Sequence, residues 1–447
     1  MAENLTGFVP LASASNGRLR LYTIALVLVL LAEFIGNISL QLGPARIVLL
    51  PLLWALLMGA TLGLLQHRMP PALRVTTDMQ GLAATILQPA LLMFIAKLGL
   101  LVGGSIPKLA AAGWALVFQE FGHFFGTMVL GLPIALLLGI KRQAVGATFS
   151  VGREPSLAII SEKYGMQSPE GHGVLAEYLT TAVFGAIFMA ILAGVLASLK
   201  IFDPLALAMG AGVGSGSMMA AAAASIAAQQ TPEVAKEVIT FAAASNLITT
   251  TVGTYFTLFL SLPFTAWLYK VLEPRIGRTT SASVESSDLS GHLHSEHAAP
   301  AFGARLFTWI AVAIFALGGN WITYHAAASD PSVLGGMGIV IAVVIVGDML
   351  YRLTRRKVPA VVWVSLVGMT LTYPAFPGAA VVADMTGKIN FLALATPILA
   401  FAGLSIAKDV PVLRRLGWRI VVTSFAANAG TFLGATVVAQ FFMHKPV

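Results

Sequence analysis

The sequence predicts an all-α membrane protein with many transmembrane helices, and three observations support that fold class. Of its 447 residues, 57% are hydrophobic and 10% are charged, and the mean hydropathy is +0.85. A soluble domain carries about 25% charged residues, so this chain has too few charges to cover a soluble surface. Apolar stretches of about 20 residues, the length that crosses a bilayer, recur along the chain. Finally, the two ends of the sequence resemble each other.

The apolar stretches form about thirteen segments, which predict about 11–13 spans of a bilayer core. The lower number applies if 144–163 and 204–228 enter and leave the membrane on the same side. Segment 234–270 is longer than a span needs, and we expect it to tilt or break near Pro263. The segments are 20–40, 46–66, 81–105, 112–140, 144–163, 170–198, 204–228, 234–270, 306–325, 332–351, 358–377, 388–408 and 416–442.

Basic residues in the connections between segments predict the orientation. Arg18 with Arg20, and Lys141 with Arg142, are examples from alternate connections, and the intervening connections hold fewer basic residues. Cytoplasmic loops are enriched in lysine and arginine. We therefore expect the N-terminus and the hydrophilic linker at 274–305 in the cytoplasm, and a multi-pass protein of the inner cell membrane.

Three stretches near the N-terminal end recur in the same order near the C-terminal end. The pairs are 54–61 with 363–370, 78–81 with 384–387, and 106–127 with 410–431, the last at a constant offset of 304. Each segment and its equivalent are nine steps apart in the order of segments, an odd number, so the two copies should face opposite ways. Such inverted repeats are a feature of many secondary transporters.

The repeat divides the chain into five predicted parts. Within the central part, 146–155 aligns with 210–219, which suggests a second and weaker repeat. The parts are 1–45, the N-terminus and first helix; 46–140, scaffold repeat 1; 141–273, a core with two interrupted helices; 274–305, a cytoplasmic linker; and 306–447, scaffold repeat 2 with the helices before it.

A glycine-rich stretch predicts a helix break inside the bilayer. Residues 210–217 hold four glycines and two serines, and each glycine costs a helix about 1 kcal/mol relative to alanine. Broken helices at membrane depth line cavities, and their ends bind ions. The alternative is close helix packing through small residues. The substrate-binding candidates here are Gly212, Gly214, Ser215, Gly216, Ser217 and the later Asn246.

A second candidate element lies at 150–156, where two charged residues and a proline interrupt an apolar segment. Arg153 has the geometry to clamp a carboxylate, and Glu154 is a candidate for ion coupling because ionisable residues in a membrane are usually functional. The alternative is a charged cytoplasmic mouth beside Lys141 and Arg142. The substrate-binding candidates of this element are Ser150, Gly152, Arg153 and Ser156.

Segment 112–140 carries Glu120 and His123, which share a helix face because they are three residues apart. Their repeat equivalents are Ser424 and Ala427, so the fold does not require charge at these positions. Both are therefore candidates for ion coupling, and the alternative is an interhelical hydrogen bond. We regard Lys97, Glu33 and Asn428 as lesser candidates, with Lys97 expected to pair with Glu120 or to reach the membrane surface.

The element 151–156, the glycine run 210–217 and the repeated Gly-Trp helices resemble an uncharacterised bacterial inner-membrane family with a domain of unknown function. More distantly, the chain is similar to the sodium/glutamate symporters and to the 2-hydroxycarboxylate and divalent-anion carriers. That resemblance implies transport of anionic metabolites with sodium or protons. In this chain the two interrupted elements are neighbours, so no sodium-site residue is carried over from those carriers.

The expected function is a secondary active transporter that moves a small, carboxylate-bearing solute with sodium or protons. The alternative is an exporter or channel-like efflux protein for a cationic or neutral solute. An enzyme is not expected, since the sequence holds no catalytic or metal-binding motif. We expect no cofactor or structural metal, with a sodium ion as the one candidate ligand. The expected partners are a small solute and lipid, without nucleic acid, and a homodimer is left open.

Overall fold

The fold is known from a computed structural model of the chain. It describes residues 11–42, 45–111, 114–151, 154–278, 301–325, 330–355, 358–411 and 417–443. Helices dominate all of these ranges. Among the predicted site residues, Gly152 and Arg153 lie outside the described part, as does most of the 274–305 linker.

The elements of the N-terminal half begin with one long helix and a short hairpin. They are α1 (Leu11–Ile35), β1 (Ile38–Leu42), β2 (Ala45–Leu49), α2 (Pro51–Leu64), α3 (Thr77–Gly103), α4 (Ile106–Ala111), α5 (Ala115–Leu137), α6 (Gln143–Thr148), α7 (Glu154–Lys163), α8 (Pro169–Leu199), α9 (Pro204–Ala211) and α10 (Gly216–Ala227).

The C-terminal half is helical throughout its described ranges. Its elements are α11 (Pro232–Thr251), α12 (Gly253–Phe256), a π-helical turn (Thr257–Ser261), α13 (Leu262–Ile276), α14 (Phe302–Tyr324), α15 (Pro331–Leu353), α16 (Ala360–Thr372), α17 (Ala379–Gly387), α18 (Phe391–Ile406) and α19 (Trp418–Met443).

The lengths of these helices confirm a polytopic, all-α membrane protein. Among the described residues, six helices are long and apolar enough to cross a membrane, namely α3, α5, α8, α14, α15 and α19. A seventh span results if α17 and α18, which meet at a bend of 58°, cross together. The helices α2, α10 and α16 are apolar but shorter. Long uninterrupted helices are fewer than the predicted spans because segments 144–163 and 204–228 each fold as two short helices, and because α2, α16 and α18 have fewer than 18 residues.

Polar caps followed by proline fix where several helices begin. Ser168, Asp203 and Asp330 each accept a backbone hydrogen bond at the N-cap of α8, α9 and α15, and each precedes a proline. A capping oxygen satisfies one of the N–H groups that a helix start leaves unpaired. Proline suits the first helical position because its ring presets the backbone angle. These starts lie within two residues of the predicted segment limits.

The predicted segments 20–40 and 46–66 differ from the structure at the ends that follow one another in the chain. Segment 46–66 was expected to be one helix, but 45–49 pairs with 38–42 as an antiparallel hairpin, with Ile38 opposite Leu49. Helix α2 begins only at Pro51. Residues 47–49, Ile-Val-Leu, are rich in β-branched side chains, which favour strands. A purely apolar run does not distinguish such a strand from a helix.

The expected break near Pro263 takes the form of the π-helical turn just before it. Proline has no N–H to donate to the carbonyl four residues earlier. Widening the helix by one residue over Thr257–Ser261 adjusts the chain to that missing bond. Ser261 uses its hydroxyl to bond the Phe149 carbonyl, which ties this turn to the end of α6.

Helices α5 and α19 cross in very close contact through glycines. A side chain at Gly126 would overlap the Gly430 carbonyl, and one at Gly122 would overlap the Gly434 carbonyl. Residue numbers rise along one helix as they fall along the other, so the pair is antiparallel. Thr127 Oγ1 and Thr431 Oγ1 are 3.0 Å apart at this crossing. Small residues permit this approach of two membrane helices.

Helices α3 and α18 are also antiparallel to each other. Phe94 contacts Phe391 with ring centroids 4.9 Å apart, and Lys97, further along α3, reaches back to Thr386. Each of these two helices packs in parallel on a shorter one. Gly99 of α3 lies against α16, and Gly403 of α18 lies against α2.

Candidate functional site

A break in the middle of predicted segment 204–228 separates α9 from α10, and we call residues 212–215 the glycine break. Helix α9 ends at Ala211 and α10 begins at Gly216. Ser215 caps α10 by accepting a hydrogen bond from the Met218 amide at 3.4 Å. The Ser217 hydroxyl lies 3.1 Å from that of Ser215. Two hydroxyls and the N–H groups of a helix start therefore gather at this tip.

Side chains of α11 satisfy the backbone that the glycine break frees. Asn246 Nδ2 donates to the carbonyl of Gly212 at 2.8 Å and to that of Gly214 at 3.1 Å. The neighbouring Ser245 hydroxyl donates to the Met209 carbonyl at 2.7 Å. Asn246 is only 3% exposed. Asn246 of α11 therefore contacts the glycine break directly.

The same glycines also allow α9 to pack tightly. A side chain at Gly212 would overlap Ser245 of α11, and one at Gly210 would overlap the Thr436 hydroxyl of α19. Both interpretations of the glycine-rich run therefore apply to different atoms. Gly210 and Gly212 let α9 fit between its neighbours, while the carbonyls of the break are held by Asn246.

Glu120 of α5 lies beside the same stretch of α11. Its Oε1 accepts hydrogen bonds from the Thr249 hydroxyl and from Gln119 Nε2, the latter at 2.7 Å. Thr249 follows Ser245 by one helical turn, so the carboxylate is connected through α11 to the glycine break. Glu120 and Thr249, which this contact joins, are 129 positions apart in the sequence.

The second oxygen of Glu120 has a different environment. Oε2 accepts no hydrogen bond from the described residues, and it lies 3.7 Å from His123 Nδ1, beyond hydrogen-bonding distance. Glu120 is 1% exposed. A buried carboxylate without a strong ion pair is costly unless it carries a proton or binds a cation. Oε2 therefore retains the capacity to accept a further hydrogen bond or to bind a cation.

His123 lies at the crossing of α5 and α19. Its ring stacks on Phe124 with centroids 4.6 Å apart. Its backbone carbonyl accepts hydrogen bonds from Thr127 at 2.7 Å and from Thr431 at 3.1 Å. The His123 side chain is buried, and its Nδ1 lies 3.7 Å from Glu120 Oε2.

A second break, between α6 and α7, interrupts predicted segment 144–163. Ser150 and Ser156 are both buried, and the Ser156 hydroxyl donates to that of Ser150 at 2.9 Å. Glu154 is the first residue of α7. Gly152 and Arg153, the centre of the predicted substrate clamp, lie outside the described residues.

The two breaks pack against opposite stretches of one helix, α8. Gly173 of α8 closely approaches the Gln143 carbonyl of α6, and Gly185 approaches Met218 of α10. Near the first break, Lys141 pairs with Glu273 at 2.9 Å and Arg142 pairs with Glu170 at 2.6 Å. The bond to Glu170 is also the main reason that the pKa of Arg142 is raised.

The tip of α10 opens onto a narrow apolar crevice between α3 and α18. Its walls are mostly apolar, and it is too tight for a water molecule. Two predicted residues, Gly216 and Ser217, belong to its lining. The lining residues are Leu91, Phe94, Gly216, Ser217, Ala220, Ala395, Ile398 and Leu399.

Sequence reasoning missed several polar residues of the core. Glu177 of α8 is 1% exposed and accepts a hydrogen bond from Thr181 at 2.6 Å. Thr181 in turn accepts one from Asn428 of α19 at 3.2 Å. Glu177, which lies seven residues inside the apolar segment 170–198, was the signal that could have identified this group. Thr249, by contrast, is an ordinary helical threonine until the fold brings it to Glu120.

The lesser candidates take other partners. Lys97 does not pair with Glu120 and instead donates to the Thr386 carbonyl. Glu33 is buried and accepts hydrogen bonds from Thr323 and Thr396. Both residues therefore bond to elements other than α5, Lys97 to α17 and Glu33 to α14 and α18.

A comparison with protein families gives one match, described as a protein of unknown function (DUF3100), over residues 30–271. That range covers 242 of the 447 residues. The chain belongs to the DUF3100 family. Neither the curated proteins nor the solved structures give a match. The DUF3100 range contains both breaks, Glu120, His123 and Asn246.

Proposed function

We propose that this DUF3100 protein is a secondary active transporter that moves a small carboxylate-bearing solute together with sodium or protons. One observation carries the proposal: the buried carboxylate of Glu120 is bonded to α11 one turn from the residues that hold the glycine break. A titratable group next to an interrupted helix inside a bilayer is the arrangement by which many carriers couple ion and solute binding.

The chemistry of Glu120 supports a coupling role. With one oxygen hydrogen-bonded and the other without a hydrogen bond from the described residues, it can hold a proton or a sodium ion. Binding there would change the charge beside Thr249 and, through α11, the support of the break. His123, 3.7 Å from the carboxylate, is a second group that can carry a proton.

The glycine break supports the solute-binding part of the proposal. Ser215, Ser217 and the first N–H groups of α10 offer donors to an anion, and the positive end of the helix dipole favours one. The residues proposed to bind the solute are Ser150, Gly152, Arg153, Ser156, Gly212, Gly214, Ser215, Gly216, Ser217 and Asn246, with Glu154, Glu120 and His123 proposed for ion coupling.

The packing of the repeated stretches supports an inverted repeat, which a carrier uses to open alternately to each side. Thr127 and Thr431, equivalent at the offset of 304, contact each other between antiparallel helices. The equivalent helices α3 and α18 are also antiparallel. The short helices α2 and α16 are equivalent as well. Since α3 packs on α16 and α18 packs on α2, each long helix packs on the short helix of the other copy. We further propose that the N-terminus and the 274–305 linker are cytoplasmic in the inner membrane.

Uptake by purified protein in liposomes tests the proposal. Radiolabelled acetate, lactate, succinate, citrate and glutamate are offered with and without inward sodium or proton gradients. We expect saturable, gradient-driven accumulation of at least one of them. Glu120→Gln should lower gradient-driven accumulation at least tenfold while retaining solute exchange, because the amide keeps the hydrogen bonds but cannot change its charge.

A matched control is Glu162→Gln, which neutralises an exposed glutamate on α7. It should transport like the unaltered protein. Unchanged gradient-driven accumulation in Glu120→Gln would remove the coupling role from Glu120. Flux that rises linearly with solute concentration, without gradient dependence, would favour the channel-like alternative.

A further inference from the structure

Lys97 of α3 is an unusual charge for the interior of a membrane protein. It is 2% exposed, and it is the only lysine or arginine in the buried class among residues whose exposure the structure describes. A lysine ammonium carries three N–H donors. One of them bonds the Thr386 carbonyl at 2.5 Å, and Lys97 is in none of the ion pairs between described residues.

Other charges of the core are compensated differently. Arg305 is 13% exposed and forms a two-point ion pair with Asp348 of α15. An ammonium buried without a carboxylate partner is unfavourable, because it loses the water that stabilised its charge. Lys97 has a hydrogen-bond acceptor but no counter-ion among the described residues. An anion that binds reversibly would supply that counter-ion.

Lys97 lies near the junction between α17 and α18. Its partner Thr386 belongs to the last turn of α17, which carries partial negative charge, and α18 starts at Phe391, after the bend of 58°, with partial positive charge. Lys236 of α11 is close enough to interact electrostatically with Lys97, and it adds a second positive charge.

Lys97 is also connected to the proposed solute site. It follows Phe94 by three residues and therefore shares a face of α3 with it. Phe94 lines the apolar crevice that reaches Gly216 and Ser217 at the tip of α10.

We propose that Lys97 binds the carboxylate of the transported solute and is a determinant of its anionic character. The inference rests on the proposed function, which named the solute class but relied on Arg153 and the helix tip for the anion. The carboxylate displaces or joins the Thr386 carbonyl as the partner of the ammonium, and the neutralised pair then lies in an apolar environment.

Thermal unfolding of the detergent-purified protein tests this without any transport. Intrinsic fluorescence of the seven tryptophans reports the midpoint while sodium acetate, lactate, succinate, citrate or glutamate is titrated against sodium chloride at equal sodium and ionic strength. We expect at least one carboxylate to raise the midpoint above the chloride reference, because a ligand of the native state stabilises it.

Two variants identify Lys97 as the origin of that response. Lys97→Met keeps the length and removes the charge, and Lys97→Gln also keeps a donor for Thr386. Both should need at least tenfold more carboxylate for the same midpoint shift. The control Lys163→Met, at an exposed lysine of α7, should respond like the unaltered protein.

Three results would overturn the inference. One is an unchanged carboxylate response in either variant, with or without a lower midpoint, which would leave Lys97 as a cap for α17. The second is a chloride response equal to that of every carboxylate, and the third is no carboxylate response in the unaltered protein. Lost response in the variants combined with no flux in liposomes would retain the anion site and reject the carrier.

Discussion

Asn246 should stabilise the glycine break strongly, and Asn246→Ala measures by how much. Its Nδ2 donates to the Gly212 and Gly214 carbonyls at 2.8 and 3.1 Å, and the residue is 3% exposed. A buried acceptor left without its donor costs about 1–3 kcal/mol. For the Gly212 carbonyl alone, we therefore expect a loss of about 1–3 kcal/mol in the free energy of unfolding.

The assay is unfolding in mixed micelles by added sodium dodecyl sulfate, followed by tryptophan fluorescence. Asn246→Asp, which keeps the size but replaces the donor by an acceptor, should be at least as destabilising. The control is Asn37→Ala, at an exposed asparagine between α1 and β1, expected within about 0.5 kcal/mol of the unaltered protein. An equally small effect for Asn246→Ala would refute the support that we assign to its amide.

Two further predictions concern the membrane arrangement and a buried ion pair. The chain has no cysteine, so single cysteines can be placed at the exposed Trp114 and Trp418. Because α5 and α19 are antiparallel, these cysteines should react with a membrane-impermeant maleimide from opposite sides of sealed vesicles. Labelling of both from the same side would contradict the inverted repeat. Asp348→Asn leaves Arg305 and Arg352 without their shared carboxylate. We expect the free energy of unfolding to fall by about 3–5 kcal/mol in the same micelle assay. A loss below about 1 kcal/mol would show that the ion pairs of Asp348 contribute little.

The class of fold and many helix limits could be predicted because they depend on local chemistry. Segment 170–198 matches α8 within one residue at each end, since a long apolar run is bounded there by a serine cap and by Lys200 in a left-handed conformation. The hairpin at 38–49 could not be predicted, because short apolar runs fit strands and helices equally. The separate helix α17 was missed because its apolar residues surround a single aspartate.

The candidate site was only partly predictable. Asn246 and Glu120 stand out in the sequence as polar residues in apolar segments. In the structure, Asn246 of α11 bonds the glycine break, and Glu120 bonds Thr249 of the same helix. Their link through Thr249 depends on how α5 and α11 pack, which no local pattern encodes. The expected pairing of Lys97 with Glu120 was wrong, because the stretch of α3 around Lys97 contacts α17 and α18.

Counterflow in liposomes tests the central claim, coupled carrier transport, most directly. Liposomes loaded with one unlabelled carboxylate from the uptake panel are diluted into a trace of its labelled form, with and without sodium, at pH values on both sides of neutrality. A carrier predicts transient accumulation of label that saturates with internal solute and depends on the coupling ion. Label that only equilibrates, at a rate proportional to its concentration and independent of internal solute, would contradict the account.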